Sequence, residues 1–407
     1  LHNKINTTVV SMSIICLMLF MTITILSSAL SLNNTMRKDL EDTTPVDLNL
    51  YKTANLPENE KMSKAQIEDS RKTMIQTLED NGFDMTKLKD VVEIPIYATN
   101  ELTWRDTLSP VYDEVKQQFP NLLYETAEEI VKVSDYNKVA RLYGNIEYQL
   151  KDDEYIILCD FDNMKNLRNK ALKADSTITI AGKEYKSKYD ECQSGYIKMA
   201  GSHVNNGIIL VPDSCNLTDD MKVQQLLVAN YNAQTDEKRQ EIEKIFTSND
   251  SILVQNLTNK GIDVDGVTKI SLMEASIGIA TIVTFIAIYL GIIFLIASAA
   301  ILALKQLTES SDNKQRYTIL REIGCDEKMI NKALFRQIGI FFGLPLILAI
   351  IHSIFGIQFA MTMMEGLASS EDLLPSIVAT VVIIGVIYGA YFLATYFGSK
   401  NIIKEEE

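Results

Sequence analysis

Four uninterrupted apolar runs, residues 9–32, 277–304, 335–361 and 377–397, stand out from a chain that elsewhere alternates polar and apolar positions at short intervals. Inside them the only Lys, Arg, Asp or Glu is Arg336, at the start of the third run. An α-helix needs about 20 consecutive apolar residues to cross the hydrocarbon of a bilayer, and each run reaches that length. The pattern predicts an α-helical membrane protein with four transmembrane helices, one plus three, and a large α+β domain inserted after the first. The expected divisions are a first membrane helix in 1–32, an extracellular domain in 33–273 and a second helix in 274–304. A cytoplasmic loop, 305–334, leads to the third helix at 335–361; the fourth occupies 377–398 and a cytoplasmic tail 399–407. The first run is longer than the 7–15-residue core of a secretory signal and lacks a strongly basic leader, so it reads as a retained helix. The chain opens without Met almost at the membrane, as if cut from a longer polypeptide.

Within the inserted segment, Ser63 with Gln66 forms a capping box, and Ile67, Met74, Ile75 and Leu78 recur at helical spacing up to Asn81-Gly82. Strands are expected at 91–97, 130–133, 155–159 and 207–211, and a hairpin at 176–186 turning on Ala181-Gly182. Helices are expected at 104–119, interrupted by Pro110, at 163–172, and behind a Ser134 cap with Tyr136, Val139, Ala140 and Tyr143 on one face. Two further amphipathic helices are read at 219–231 and 236–246.

Charge gives the orientation. Lys305, Lys314, Arg316, Arg321, Lys328 and Lys332 crowd the loop after the second run, and Lys4, Lys400 and Lys404 lie at the ends. The link between the third and fourth runs holds Glu365, Glu371 and Asp372 and no basic residue. Lys/Arg excess marks the cytoplasmic side, so both termini and 305–334 are expected inside and 33–273 outside. That outer segment carries 29 Lys and Arg against 41 Asp and Glu, a net charge of −12. Such acidity argues against nucleic acid as a partner. It suits either a cationic ligand attracted through the field or simply a solvated acidic surface.

Chemistry is sparse. Cys159, Cys192 and Cys215 lie in the outer segment without metal-ligand spacing; one disulfide among them and three free thiols are both open, and spacing does not choose a pair. His203 is the only histidine there, and neither H-E-x-x-H nor G-x-S-x-G occurs. The acidic clusters Asp152-Asp153-Glu154 and Asp219-Asp220 read as a solvated turn and a helix start. No catalytic residue, metal or bound cofactor is expected, and no enzyme activity.

In the membrane runs, Gly339 with Gly343 and Gly385 with Gly389 have the small-xxx-small spacing that lets helices pack closely. Pro345 is expected to kink the third helix. His352 is the one ionisable group deep in a run, a polar contact to a substrate or proton, or a hydrogen bond to a neighbouring helix. The loop is written as a lever: a helix over 314–323 with Tyr317, Leu320 and Ile323 on one side, a stop at Gly324, and a second helix from Asp326 carrying Met329, Ile330, Ala333 and Leu334. Its basic and apolar face serves either to lie against anionic lipid or to dock a cytoplasmic protein.

The stretch YTILREIGCDEKMINKALFRQIGIFFGLPLILAIIHSIFGI, residues 317–357, resembles the C-terminal domain of FtsX-like ABC transporter permeases, whose LRxIG element sits in the loop between the second and third of one-plus-three helices. The opening KINTTVVSMSIICLMLFMTITILSSALSL, residues 4–32, is similar to the helix leading into that family's external domain, and the nearest type is BceB, associated with bacitracin and other antimicrobial peptides. A complete permease of that type has further spans upstream, so the resemblance is to its C-terminal half. It implies a multi-pass protein of a bacterial plasma membrane and a separate cytoplasmic ATPase subunit that holds the ATP. No G-x-x-x-x-G-K-[ST] occurs in the chain itself. Carried onto this sequence, Tyr317, Leu320, Arg321, Glu322, Ile323, Gly324 and Met329 form the ATPase-coupling element. The external domain is then expected to meet a cationic peptide antibiotic, a peptide–lipid complex or a sensor kinase, for export, detoxification or sensing. The alternatives are an FtsX-type mechanotransmitting regulator of an envelope hydrolase or lipoprotein release system, and a stand-alone receptor without an ATPase.

Overall fold

A computed structural model describes residues 2–58, 62–364 and 373–404. The acidic link residues Glu365, Glu371 and Asp372 lie outside the described residues, as does the side chain of Lys4. Among the described residues four helices, Val9–Thr43, Lys269–Asp312, Glu327–Met363 and Leu374–Ile403, are long and apolar enough to cross a membrane. The first three outrun the apolar stretches because the flanking polar residues contain no Gly or Pro to stop them, and the fourth starts with Pro375 in its first turn, where proline is tolerated. The third helix continues through Pro345.

The chain divides into two compact units. One comprises the chain up to Arg37 together with everything from Ile277 onward; the other is Lys38–Ser276.

In the helical unit, Ile15 and Leu19 of the first helix, Leu295 and Leu302 of the second, Leu334 and Ile338 of the third and Ile384 and Tyr388 of the fourth share one buried cluster. Lipid is as apolar as these side chains, so packing and interhelical hydrogen bonds must specify the arrangement. Ser27 donates to Thr380 Oγ1 (3.1 Å), Asn33 to Thr284 Oγ1 (3.1 Å), Asn34 to Ser376 Oγ (3.3 Å) and the Tyr388 hydroxyl to the Phe342 carbonyl (2.9 Å).

The small-residue pairs expected at helix contacts are not the contacts observed. A Cβ added at Gly339, Gly343, Gly385 or Gly389 would meet nothing within 4 Å. The third and fourth helices meet instead through rings, with Phe342 5.3 Å from Tyr388 and 5.7 Å from Phe392. The close approaches are Gly291, whose Cβ would come 2.7 Å from Leu26, Gly356, whose Cβ would come 2.7 Å from Phe20 and from Thr24, and Gly398, whose Cβ would come 2.9 Å from Leu307. Gly356→Val is therefore expected to lower the melting temperature of the detergent-solubilised protein by several degrees, an overpacking cost of roughly 1–3 kcal/mol. Gly385→Val is expected to leave it unchanged, and thermal unfolding by tryptophan-independent dye or circular dichroism reads both.

The Lys38–Ser276 unit is built on one mixed sheet of nine strands: β1 Leu48–Thr53, β2 Leu88–Tyr97, β3 Ile130–Lys132, β4 Glu154–Leu158, β5 Thr177–Ile180, β6 Lys183–Ser187, β7 Ile208–Val211, β8 Lys222–Tyr231 and β9 Asp265–Thr268. Their order is β5-β6-β4-β7-β3-β2-β8-β1-β9. The β3–β7 and β4–β6 pairs are parallel and the others antiparallel. Side-chain alternation distributes each strand over two faces. Ile156 and Leu158 join Tyr136, Val139 and Ala140 of the helix Val133–Tyr143, whereas Tyr155 and Ile157 join Leu167 and Ala171 of the helix Asp162–Ala174.

One expected element is overturned. Residues 219–231, read as an amphipathic helix, form a short 3-10 turn, Asp219–Met221, followed by β8. β8 sits inside the sheet between β2 and β1. Leu226 and Val228 face one core, Leu227 and Ala229 the other, all fully buried. A strand covered on both faces loses the polar alternation that identifies strands, and its apolar run imitates a helix. Two smaller corrections follow the same logic of local bonding. The helix expected through 63–81 is two helices, Lys64–Ser70 and Met74–Asp80, because Thr73 with Gln76 makes a second capping box. Ser134 lies inside its helix, which starts at Val133, and its N–H donates to Asp213 Oδ1 (3.2 Å).

Candidate functional site

The loop residues proposed from sequence come together on a helix–turn–helix. The helix Lys314–Glu322 ends at Ile323, and Gly324 follows with φ +94°. Gly324 N–H donates to the Arg321 carbonyl (2.9 Å) and Cys325 N–H to the Leu320 carbonyl (3.0 Å). This pair of bonds is the Schellman arrangement, which favours glycine at the left-handed position. The chain then enters Glu327–Met364, so the turn is continuous with the third membrane helix.

The candidates point in two directions. Tyr317 is half-buried against the helical cluster, and its hydroxyl donates to Gln337 Oε1 (3.2 Å). Arg321 is also turned inward, its side chain 14% exposed, with Nε hydrogen-bonded to Glu327 across the turn. Tyr317 thus ties the loop to the third helix, and Arg321 ties the two sides of the turn to each other. Ile323 (71% exposed), Met329 (65%) and Leu320 (37%) face outward, together with Glu322. Ile319, which sequence periodicity did not single out, joins them at 55% exposed. The result is an apolar patch with an acidic neighbour, held by an internal Arg–Glu staple. In the membrane, His352 lies on the surface of the third helix, its ring edge-on to Phe20 with centroids 6.5 Å apart, and among the described residues it makes no hydrogen bond.

The sheet unit holds two neighbouring cavities of about 400 and 430 Å³ that share Asp160 and Tyr196 in their walls. The first is lined by Trp104, Tyr51 and the Lys198–Glu129 ion pair (2.6 Å); the second by Glu41, Asp42 and His203. Among the described residues no cluster of His, Cys, Asp and Glu has the geometry of a metal site. Sequence reading missed these walls because they assemble from segments far apart in the chain, although His203 was conspicuous as the lone histidine of 33–273. Its Nδ1 lies 3.0 Å from Asp160 Oδ2, and that hydrogen bond, with the charges of Asp160, Asp39 and Asp42, raises its pKa above the ordinary 6.5. A raised folded-state pKa means that the protonated ring stabilises this unit below the unfolded value, and the contribution is lost as pH rises through the folded one. NMR titration is expected to give a His203 midpoint above 6.5, returning toward 6.5 in Asp160→Asn.

Residues 288–406 match the FtsX-like permease C-terminal family. The chain is similar to the bacitracin export permease protein BceB of Bacillus subtilis (strain 168), 42% identical over 76 residues, which are 19% of this chain and 12% of that protein. It is also similar to the protein of the same name from Halalkalibacterium halodurans, 40% identical over 74 residues, 18% of this chain and 11% of that one. The ABC transporter permease protein YxdM of Bacillus subtilis is 28% identical over 74 residues, 18% and 12% of the two chains. The matched stretches thus span about one-eighth of the length of these relatives.

Proposed function

We propose that this chain is the C-terminal part of an ABC transporter permease in which residues 305–334 receive a separate cytoplasmic ATPase and pass its motion to the third membrane helix. The observation that carries this reading is the outward apolar patch of Ile319, Leu320, Ile323 and Met329. It lies on a turn that runs without a break into the membrane helix. The exposed Lys314, Arg316, Lys328 and Lys332 already suffice to fix topology, and that task gives no reason to expose Ile319 and Ile323 as well. ATP would reside on the partner, and the chain itself would be no enzyme.

The basic loop and termini support a cytoplasmic location for both, with Lys38–Ser276 outside. The net −12 charge of 33–273 and the Glu41–Asp42–Asp160 wall of one cavity suit a cationic ligand. Together with the bacitracin export permeases that the chain matches, this favours a cationic antimicrobial peptide, for export, detoxification or sensing through a kinase. The FtsX-type regulator of an envelope hydrolase uses the same loop and differs in what meets the outer unit.

Purification of the full chain from its own membranes in mild detergent, with co-purifying proteins identified, tests the reading. Recovery of a P-loop ATPase supports it; recovery of a hydrolase or kinase without any ATPase overturns it.

A further inference from the structure

We infer that Cys159 and Cys192 are a disulfide-forming pair that staples the end of β4 to the segment lining both cavities, and that Cys215 stays a thiol. Leu158 and Gln193 form a parallel bridge: Cys159 N–H donates to the Gln193 carbonyl (3.1 Å) and Gln193 N–H to the Ile157 carbonyl (2.8 Å). Alternation along that bridge puts Leu158 in one core, and Ile157, Cys159 and Cys192 together in the other. Asn169 Oδ1 accepts from Cys192 N–H (2.8 Å) and holds it there. Both thiols are buried there as neighbours, and each shifts the pKa of the other. Cys215 lies in the same core, but beside Tyr185 rather than beside the other two cysteines. The three-way ambiguity left by spacing is thereby reduced to one pair.

Their chemistry divides the roles. Cys159 lowers the pKa of Cys192, and the nearby Arg168 guanidinium adds to this, while Cys192 and burial push Cys159 up. Cys192, the more acidic of the two, loses its proton and attacks a low-molecular-mass disulfide that reaches it when this part of the buried core opens, releasing one thiolate of that oxidant. The Cys159 thiol then loses its proton and attacks Cys192 Sγ, expelling the second. Two thiols are oxidised, and the disulfide acceptor takes up two electrons and two protons. The following residues, Gly195 and Tyr196, and Asp160 beside Cys159 are cavity wall, so the bond fixes both sides of one opening.

The inference rests on the outside location of this unit, since disulfides persist in oxidising compartments. The test uses the full chain, alkylated in its own membranes before any reductant and then mapped by mass spectrometry. A Cys159–Cys192 linked peptide with alkylated Cys215 is expected. Reduction, or Cys192→Ser, is expected to lower the melting temperature by roughly 4–16 °C, the usual effect of losing a native disulfide in a unit of this size. Alkylated Cys159 and Cys192, or a link through Cys215, overturns the pair. Labelling of intact cells with a membrane-impermeant amine reagent at Lys151, whose side chain is 82% exposed, reports the location separately. Labelled Lys151 with free Cys159 and Cys192 overturns the disulfide alone. Unlabelled Lys151 with free thiols overturns both, and unlabelled Lys151 with the linked peptide keeps the pair and overturns the location.

Discussion

Ile323→Asp is expected to weaken binding of the ATPase subunit by roughly 30- to 1,000-fold while leaving the chain folded and in the membrane. Interface residues that fill a partner's pocket lose about 2–4 kcal/mol when removed, which is that range of affinity. Ile323 is 71% exposed at the tip of the turn, so it contributes little to packing within its own chain, and an added carboxylate is costly only where a partner would desolvate it. Titration of ATPase onto the purified protein reads the affinity, and size-exclusion behaviour reads the fold. Two other substitutions separate contact from geometry. Arg321→Ala removes a side chain that is only 14% exposed and is bonded to Glu327, so it loosens the staple and acts on coupling more than on capture. Gly324→Ala adds a Cβ that meets nothing within 4 Å, but at φ +94°. Its cost of roughly 1–2 kcal/mol is conformational, and it bends the path from loop to helix without touching the patch.

Arg168→Met is expected to destabilise the sheet unit by about 3–5 kcal/mol, the cost of leaving one member of a buried ion pair alone. Arg168 and Glu128 are 1% and 0% exposed, bonded through both guanidinium nitrogens at 2.8 and 3.0 Å. Arg168 Nε also donates to the Asn206 carbonyl (2.6 Å), and Thr107 Oγ1 donates to Glu128. Gly207, at φ +144°, has no room for a Cβ because the guanidinium would lie 2.5 Å from it. The pair therefore ties 103–107, 128 and 205–208 together behind the cavity that Trp104 and Asn206 line. For a unit of this size the melting temperature should fall by roughly 6–20 °C. The double variant Arg168→Met/Glu128→Leu is expected to recover much of the loss, since hydrophobic replacement of a whole buried pair is often neutral. An unchanged melting temperature in Arg168→Met contradicts the role assigned to the pair.

The sequence disclosed most where one physical signal dominates. Four apolar runs without internal acids needed only length to identify the membrane helices, and the turn at Gly324 was written in a helix period, a glycine and a new helix start. It disclosed least where tertiary surroundings decide. β8 is apolar on both faces because helices cover both faces of the sheet, and no local pattern distinguishes that from a buried helix. The glycine pairs of the third and fourth helices have packing spacing, yet those helices meet through rings such as Phe342 and Tyr388. Within the loop, periodicity grouped Tyr317, Leu320 and Ile323 on one side. Only the fold separates Tyr317 and Arg321, which hold the loop, from Ile319 and Ile323, which face out. The cavity walls gather Glu41, Asp160, Tyr196 and His203 from distant segments, so no spacing could have announced them.

Site-specific photocrosslinking from position 323 in living cells is the most direct measurement of the coupling claim. With p-benzoylphenylalanine in place of Ile323, a covalent adduct to a P-loop ATPase is the expected product, and it should disappear when the probe is moved to the inward-facing Tyr317. Adducts to lipid alone, or to a protein without a nucleotide-binding motif, would contradict ATPase coupling through this loop.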